Sequence, residues 1–560
     1  MIGEIPVSRL ELREVDDDAR ILAERVSCSP LTALLLRMRG FSGDDPREAR
    51  AQLDPGLDDS MAGIDLGPFS APAADLWKSL RGIERVVVYG DYDADGACAT
   101  ALAMELALAS FRQVRYFIPQ RHREGYGVHE KVVRTIAQNG CDLLITVDCG
   151  TRDNDALGVA REAGIPVIVF DHHLPGETLP EGAFVVNPHA GGSGEAQTLC
   201  ATGVLWAWAR REGIAPPEWV DPRMELVAIA TLADHVPLGM LNRAIYSRGI
   251  GTLRRSERRG LRALIAGTGH RLEEVDEELL TMKVIPCLNA AGRLGVADIA
   301  VETLLGGPDL EGKARELVDL NRKRQSLAAE ILEEIHPKME EGAPVVMGDY
   351  AWPVGVLSGV ASRICSEAGV SVALASLSGD HVRGTLRVPQ GVDALKVLEP
   401  LAPRLLSWGG HRSAAGFSVS LSEWSGVRDL IEENLLSSPP SPAAVQAIFY
   451  PPGMLTPDEV RSMNSLGPFG AGNPPPLFYA PSRGTVEIMP LGRDGKHVRV
   501  RAAGGEFLAF GGAARSDLIR SSLGWTFRPR MNNWKGQDRV DFIMDSITVS
   551  DRSGREGIDP

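Results

Sequence analysis

Three aspartates stand close together at the end of a short apolar segment of this chain. Asp91, Asp93 and Asp95 follow the apolar residues 86–90, and a second apolar segment, residues 97–109, comes directly after them. This order predicts a buried strand, a turn that carries the carboxylates, and a helix. Open α/β sheets bind their ligands at the carboxyl ends of such strands. Because neighbouring carboxylates repel each other, a hard divalent cation such as Mg²⁺ or Mn²⁺ usually joins them, although the motif alone is also typical of a solvated turn.

Further apolar segments of the chain also end in aspartate or histidine. Residues 142–147 lead to Asp148, residues 166–170 lead to Asp171, His172 and His173, and residues 226–232 lead to Asp234. Such repeated endings indicate one shared site rather than coincidence. Carboxylates combined with imidazoles, without paired cysteines, favour Mn²⁺ over a structural zinc. Two such ions, about 3.5–4 Å apart, activate a water and hold both oxygens of a displacement at phosphorus.

These endings, together with further blocks of sequence, resemble the DHH phosphoesterase superfamily and, within it, the RecJ family of single-strand-specific DNA exonucleases. The blocks are PQR and EGYG within residues 119–127, NAAGRLG at 289–295, GGHRSAAG at 409–416 and LGPFGAGNP at 466–474. They occur in the order expected for the family. Pro353 and Ser358 depart from the family pattern, because many members have a histidine and a glycine there. We expect this departure to affect the rate or the end preference rather than the class of reaction.

The resemblance implies a role for the polar residue at each of these endings. The implied ligands of two Mn²⁺ or Mg²⁺ ions are Asp93, Asp95, Asp148, His172 and Asp234, and Asp148 would bridge the two ions. Asp91 is either a further ligand or a residue that orients one, and His173 lies beside the ions or the scissile phosphate. We therefore predict that Asp91 and His173 also take part in catalysis. No side-chain nucleophile is needed, because a metal-bound water can attack at neutral pH.

The resemblance also assigns residues to the DNA strand. Arg121 and Tyr126 match a segment that contacts DNA, Thr385 and Arg387 match a 5′-phosphate pocket, and Arg293 and His411 are further phosphate contacts. Arginine binds phosphate through a planar pair of donors, and the glycines before His411 let the backbone approach closely. Without the resemblance, each of these arginines would be interpreted as an ordinary surface residue.

The composition is that of a large globular protein. The chain has 560 residues, 44% of them hydrophobic, and its formal net charge is −15 at pH 7. This length predicts several domains. The negative charge argues against a protein that coats nucleic acid generally, whereas a nuclease needs only local lysines and arginines. The seven cysteines include no CxxC pair, so neither a disulfide framework nor a zinc ribbon is indicated.

The alternation of segment types predicts an α/β protein with five regions. Residues 1–70 are expected to form an N-terminal appendage, and residues 71–305 a DHH catalytic domain with a mostly parallel sheet. Residues 306–342 predict a long connecting helix, and residues 343–437 a smaller α/β domain with the GGH motif. After a linker rich in serine and proline, residues 443–560 show short strands between glycine turns, for which the resemblance implies an OB-fold β-barrel. That region includes a basic stretch, Arg493, Lys496, His497, Arg499 and Arg501.

The leading hypothesis is a metal-dependent exodeoxyribonuclease that degrades single-stranded DNA in the 5′-to-3′ direction, in DNA repair and recombination. The polarity follows from the resemblance alone. The alternative is a DHH phosphodiesterase of short oligoribonucleotides or cyclic dinucleotides, whose members usually lack a barrel after the GGH domain. A non-enzymatic scaffold of this superfamily would have lost metal ligands, which are all present here.

Partners and location are also expectations at this stage. Beyond single-stranded DNA, the resemblance suggests a single-strand-binding protein and a RecQ-type helicase as partners, and we expect a monomer. The sequence contains no apolar run long enough to cross a membrane and no apolar signal region at its start. These features predict a cytoplasmic protein without a membrane partner.

Overall fold

The chain divides into two compact units. The structure, a computed structural model, describes residues 2–41, 45–120, 125–440, 444–492, 495–502, 504–534 and 537–550. The first unit contains Asp54–Ser326 and Pro468–Pro474, and the second unit contains Met1–Leu53, Leu327–Gly467 and Pro475–Pro560. Among the described residues, every helix is too short or too polar to cross a membrane.

The N-terminal segment of the second unit contains two short strands and three helices. They are β1 Gly3–Pro6, β2 Leu10–Arg13, α1 Asp17–Val26, α2 Pro30–Met38 and α3 Pro46–Leu53. The side chain of Asp16 accepts a hydrogen bond from the backbone N–H of Ala19, and Ser29 accepts one from Thr32. These residue types satisfy the free N–H groups at a helix start, which explains where α1 and α2 begin.

A sheet of parallel strands lies at the centre of the first unit. The strands, in the sheet order β4-β3-β5-β6-β7, are β3 Arg85–Tyr89, β4 Gln113–Phe117, β5 Leu143–Val147, β6 Val167–Phe170 and β7 Ala183–Val186. Each neighbouring pair is parallel. Every residue of β5 and β6 is buried, as expected for a parallel sheet covered on both faces. The predicted α/β class with a mostly parallel sheet is confirmed.

The helices around this sheet carry most of the hydrophobic core of the first unit. They are α4 Leu57–Ala62, α5 Ser70–Ser79, α6 Ala94–Leu108, α7 Glu130–Gln138, α8 Asn154–Glu162, α9 Ala201–Arg211, α10 Pro217–Val220, α11 Met224–Ala233, α12 Met240–Leu253, α13 Arg259–Gly267, α14 Glu277–Leu279, α15 Ile285–Leu294 and α16 Asp298–Leu305. Helix α17, Leu310–Ile335, begins in this unit and continues into the second. It ends before Pro337, since proline lacks the N–H that a helix interior requires, so it is shorter than the predicted segment to residue 342.

The apolar segment before Asp234 is a helix, unlike the strands before Asp95, Asp148 and His172. Residues 226–232 lie within α11, and all of them are buried. An apolar run of this length shows no periodicity that separates a buried strand from a buried helix. Asp234 lies at the end of the segment as predicted, although the segment is the helix α11.

The second unit contains a smaller α/β domain. Its elements are β8 Val345–Asp349, α18 Val354–Ala368, β9 Val372–Ser378, β10 His381–Arg387, α19 Ala394–Leu398, β11 Ser407–His411, β12 Ala414–Ser420 and α20 Trp424–Leu436. The sheet order is β11-β12-β10-β9-β8. Helix α18 packs on one face through Val356 and Leu357 against Leu374, while α20 packs on the other face through Ile431 against Phe417.

The C-terminal region is rich in strands, as predicted. Its elements are β13 Val445–Phe449, α21 Pro457–Asn464, β14 Phe478–Pro481, β15 Glu487–Leu491, β16 His497–Ala502, β17 Gly505–Ala509, α22 Ser516–Ser521, β18 Gly524–Trp534 and β19 Gln537–Val549. The sheet order is β15-β16-β17-β19-β18-β14-β13-β2. The aromatic side chains of Phe507, Trp525 and Phe527 form its core.

The N-terminal strands belong to this same sheet. Strand β1 pairs in parallel with β19, and β2 pairs in parallel with β13. This arrangement differs from the expected separate appendage of residues 1–70, because the first 53 residues group with the second unit and residues 54–70 with the first. The two short strands give hydrogen-bond partners to backbone groups of β13 and β19, a long-range pairing that has no local sequence signal.

Candidate metal centre

The loop between β3 and α6 holds the three aspartates in a fixed arrangement. The carboxylate of Asp93 caps α6 by accepting a hydrogen bond from the Gly96 N–H at 3.0 Å. The side-chain oxygen of Asn289 accepts a hydrogen bond from the Ala94 N–H at 2.9 Å. A Cβ at Gly96 would lie 2.6 Å from the backbone oxygen of Asp91, so only glycine allows the loop to close this tightly.

Asp148 takes a backbone conformation that is rare for residues other than glycine. It follows β5 directly and has a φ of 61°. Its N–H donates to the carbonyl of Phe170 at 2.9 Å, and its carbonyl accepts a hydrogen bond from the Tyr126 hydroxyl at 3.2 Å. Strained backbone of this kind persists where the surrounding contacts enforce it, and it is enriched at functional sites.

Asp171 orients the two histidines that follow it. Its carboxylate accepts hydrogen bonds from the backbone N–H groups of His172 and His173 at 2.8 and 3.1 Å, and it lies 2.8 Å from Nδ1 of His173. The N–H of Thr151 donates to its second oxygen at 3.0 Å. Burial would raise the pKa of Asp171, but the hydrogen bond and charge of His173 outweigh it, so the pKa lies below its ordinary value. Asp171 therefore remains a carboxylate that aligns the His173 imidazole and holds the backbone of both histidines.

The free ring nitrogen of His172 points between two carboxylates. Its Nε2 lies 3.4 Å from Oδ1 of Asp148 and 3.5 Å from Oδ2 of Asp234. This nitrogen is buried and forms no hydrogen bond with the residues that the structure describes. A buried imidazole nitrogen that faces carboxylate oxygens without a hydrogen bond fits a metal ligand, because histidine and carboxylate together suit Mn²⁺ and related ions.

Asp95 lies at the amino terminus of α9. Its carboxylate accepts hydrogen bonds from the N–H groups of Ala201 and Thr202 at 2.8 and 3.0 Å, and from the Thr202 hydroxyl at 2.5 Å. A helix amino terminus stabilises a carboxylate. The bonded carboxylate still lies with His172 and Asp234, with one potential ligand atom of each within 4.8 Å of the others.

The structure brings the predicted metal-binding residues together around one cleft. The sets whose potential ligand atoms lie within 4.8 Å of one another are Asp91, Asp93 and Asp148; Asp95, His172 and Asp234; and Asp148, His172 and His173. Asp148 and His172 each belong to two of these sets, and of the two only Asp148 has a pair of carboxylate oxygens that could be shared between two ions. Tyr126 and Arg293, both predicted to bind the strand, also line the cleft, whose volume is about 300 Å³. Arg121 lies outside the described residues.

Two carboxylates of this cleft, those of Asp148 and Asp234, are poorly stabilised as anions. Burial raises the pKa of Asp148 well above its ordinary value, and the charges of Asp95 and Asp93 raise it further. Burial and the same two neighbours raise the pKa of Asp234 to about 8. Divalent cations would offset this repulsion, so the electrostatics of the cleft agree with its chemical fit for metal ions.

Sequence reasoning missed the residues that hold the aspartate loop from a distance. Asn289 and Gly292 both lie on α15, and a Cβ at Gly292 would come within 2.1 Å of the Tyr92 carbonyl. The NAAGRLG block contains both residues, but only Arg293 was selected from it. The resemblance of this block to a family motif was therefore the available signal, and the packing shows what Asn289 and Gly292 contact.

Residues 468–474, which belong to the first unit, also support the cleft. The N–H of Leu238 donates to the Ala471 carbonyl at 2.8 Å, and the N–H of Phe469 donates to Glu277 at 3.1 Å. Gly470 lies so close to Leu238 that a Cβ would approach it to 2.9 Å. The LGPFGAGNP block thus braces the loop that follows Asp234.

A second group of predicted residues shares one face of the sheet in the second unit. His411 and Arg387 both pair with Ala414 from opposite sides, and Thr385 pairs with Gly416. Directly paired residues point to the same side, so these three predicted side chains project from one face. A Cβ at Gly409 would meet nothing within 4 Å, so the backbone beside these side chains is open to a ligand.

Family models match the chain in sequence order. The "DHH family, N-terminal domain" matches residues 85–231, the "DHHA1 domain" matches residues 342–435, and the "RecJ OB domain" matches residues 449–546. The single-stranded-DNA-specific exonuclease RecJ of Thermus thermophilus is 35% identical over 499 residues, which cover 86% of this chain and 70% of that protein. The chain belongs to the RecJ family. The resemblance inferred from the motifs is thereby confirmed.

RecJ proteins from other bacteria and solved RecJ structures agree with this assignment. The RecJ of Bacillus subtilis is 31% identical over 508 residues; the match covers 88% of this chain but 64% of that relative, so the chain spans less than two thirds of its length. The crystal structure of Thermus thermophilus RecJ in complex with Mn²⁺ has a TM-score of 0.79 at 29% identity, covering 99% of this chain and 82% of that one. The Mg²⁺ complex has a TM-score of 0.71 at 26% identity, covering 97% and 79%.

Proposed function

We propose that this RecJ family protein hydrolyses single-stranded DNA from the 5′ end, with two Mn²⁺ or Mg²⁺ ions in the cleft of the first unit. The observation that carries the proposal is the buried Nε2 of His172, which faces Asp148 and Asp234 without a hydrogen bond. The RecJ relatives are named single-stranded-DNA-specific exonucleases, and a RecJ structure is a Mn²⁺ complex. Both facts support the substrate and the cofactor.

The proposed ligands come from the three sets of neighbouring side chains at the cleft. They are Asp93, Asp95, Asp148, His172 and Asp234, with Asp148 shared between the two ions and Asp91 close enough to join Asp93 and Asp148. When bound, the ions supply a water of lowered pKa and positive charge for the phosphate under attack. Because the protein provides the ligands from a strained, braced framework, the site needs little rearrangement to bind them.

Other residues of the cleft orient the ligands and the scissile phosphate. Asp171 lies 2.8 Å from Nδ1 of His173, and the Tyr126 hydroxyl lies 3.0 Å from the same nitrogen, so both restrain that ring. We assign His173 and Arg293 to the oxygens of the scissile phosphate, because both line the cleft with the ligands. Donors held in advance at this position stabilise the charge that develops in the transition state.

The sheet face of the second unit is proposed to recognise the 5′ end. Thr385, Arg387 and His411 project from one face beside open backbone, which suits a terminal phosphate. Recognition of the end would then involve other residues than hydrolysis. We further propose a cytoplasmic monomer in DNA repair and recombination, with a single-strand-binding protein and a RecQ-type helicase as partners; the family resemblance supports these assignments.

Digestion of end-labelled DNA tests the proposal. Oligonucleotides labelled at the 5′ or the 3′ end, single- or double-stranded, are incubated with Mn²⁺, Mg²⁺ or EDTA. We expect immediate release of the 5′ label as a mononucleotide from single strands, and no release in EDTA. The Asp148→Ala variant, purified in parallel, controls for contaminating nucleases. Release of the 3′ label first, equal rates on duplex DNA, or activity in EDTA would each contradict one part of the proposal.

A further inference from the structure

The guanidinium group of Arg387 is held by hydroxyl groups from two elements. Its Nη2 donates to Oγ of Ser358 at 2.5 Å, and its Nε donates to Oγ of Ser362 at 3.0 Å. Its Nη1 donates to Oγ1 of Thr385 at 3.1 Å and to the Leu386 carbonyl at 2.9 Å. These bonds fix the plane of the guanidinium.

The two serines lie on a rigid support. Ser358 and Ser362 are one turn apart on α18, so their side chains lie on the same side of the helix. The opposite side of α18 is buried through Val356, Val360 and Ile364 in the core of the second unit. Because the helix is anchored in this way, the serine hydroxyls are held in place before any ligand arrives.

Neutral hydroxyls orient an arginine without cancelling its charge. A carboxylate in the place of Ser358 would compete with a phosphate for the same donors, whereas a hydroxyl accepts one hydrogen bond and leaves the positive charge for the ligand. Arginine loses conformational freedom when it binds phosphate, and an arginine that is already oriented loses less.

We propose that Ser358 is a positioning residue that strengthens the preference of this protein for 5′-phosphorylated ends by orienting Arg387. The inference rests on the proposed role of Arg387 in binding the terminal phosphate. In this protein the hydroxyl contributed by α18 supplements the Thr385 hydroxyl on β10.

The ratio of kcat/KM on 5′-phosphate and 5′-hydroxyl oligonucleotides measures this preference. We expect Ser358→Ala to lower the ratio roughly 3- to 10-fold, as for the loss of one hydrogen bond, through a higher KM for the phosphorylated end and little change in kcat. Ser358→Thr keeps a hydroxyl and should retain most of the preference. Ser366→Ala removes an exposed serine from the same helix and should leave the ratio unchanged.

A double-mutant cycle shows whether Ser358 acts through Arg387. Arg387→Ala alone should lower the ratio, and adding Ser358→Ala to it should change the ratio no further. Melting temperatures of all variants, measured in parallel, show that each is folded. If Arg387→Ala lowers the ratio while Ser358→Ala does not, or if the two effects add, the positioning role is wrong and the phosphate site stands. If Arg387→Ala leaves the ratio unchanged, the phosphate site itself is wrong.

Discussion

The cleft of the first unit and the sheet face of the second unit are both suited to a phosphate group, yet they are built from opposite chemistry. The cleft gathers carboxylates, and burial followed by their mutual repulsion raises the pKa of Asp148 and Asp234. The sheet face presents Arg387, already bound by neutral oxygens, beside exposed glycine backbone. The cleft therefore requires cations before an anion can approach, whereas the sheet face carries its own positive charge. This difference predicts that metal removal stops hydrolysis but leaves end recognition intact.

The basic stretch of the C-terminal region differs from both sites, because two of its arginines are paired with glutamates. Arg499 and Arg501 on β16 form ion pairs with Glu506 at 3.2 and 3.1 Å, and Arg501 also lies 3.4 Å from Glu487. Arg493 lies outside the described residues. Positive residues in a sequence are thus not equally available to DNA, because these two arginines are already paired with carboxylates.

Loss of the shared ligand should have the largest effect. We expect Asp148→Ala to lower hydrolysis by on the order of 1,000-fold or more, because the positions of both ions depend on it. Asp155→Ala, an exposed residue on α8, is the matched control and should remain active. Calorimetric titration with Mn²⁺ would show the weakened metal binding directly. More than a tenth of wild-type activity in the folded variant would exclude a bridging role.

Removal of a phosphate contact on the sheet face should have a smaller and more selective effect. His411→Ala is expected to raise KM for 5′-phosphorylated oligonucleotides roughly 3- to 10-fold, with kcat nearly unchanged, as for the loss of one hydrogen bond. His381→Ala changes an exposed histidine on β10, two strands away from β11 in the same sheet, and serves as the control. A fall in kcat without a change in KM would place His411 with the reacting phosphate instead.

The metal-free cleft should make stability depend on pH. The pKa of Asp234 is raised to about 8 by burial and by Asp95 and Asp93, so the folded metal-free protein holds a proton that the unfolded chain releases. The contribution of this proton to the free energy of unfolding is fully present below the pKa that Asp234 has in the unfolded chain. It is lost as the pH rises from about 4 to 8. In EDTA we expect the melting temperature to fall by several degrees over this range, less so in Asp234→Asn, and Mn²⁺ to restore it. A melting temperature that does not change between about pH 4 and 8 would contradict a raised pKa of Asp234 in the metal-free cleft.

The paired arginines of β16, Arg499 and Arg501, should contribute least to the binding of DNA. Arg499→Ala and Arg501→Ala are expected to weaken binding to a long single strand less than about 2-fold, and to lower the salt slope by less than the roughly 0.7 expected for one direct phosphate contact. Glu506→Gln removes the shared partner and should instead strengthen binding and steepen the slope. If either arginine variant lowers the salt slope by the roughly 0.7 expected for one phosphate contact, DNA displaces Glu506 from that arginine.

Much of the metal centre could be predicted because its signals are local. Each of Asp95, Asp148 and His172 follows a buried strand closely, and parallel strands bring their carboxyl ends to one edge of a sheet. Sequence patterning therefore indicates both the elements and the side of the sheet where these residues meet. The motif order then indicated the family, which the comparisons confirm.

The remaining features depend on contacts between residues far apart in the chain. Asn289 holds the aspartate loop from 195 positions away, and Thr202 holds Asp95 from 107 positions away. The pairing of β1 with β19 and the orientation of Arg387 by Ser358 have the same character. Such contacts leave no periodicity or spacing in the sequence, since their energy comes from packing and hydrogen bonds that exist only after the chain has folded. Residue types thus indicated what chemistry the chain can perform, while folding set which charges are oriented, shared or already neutralised.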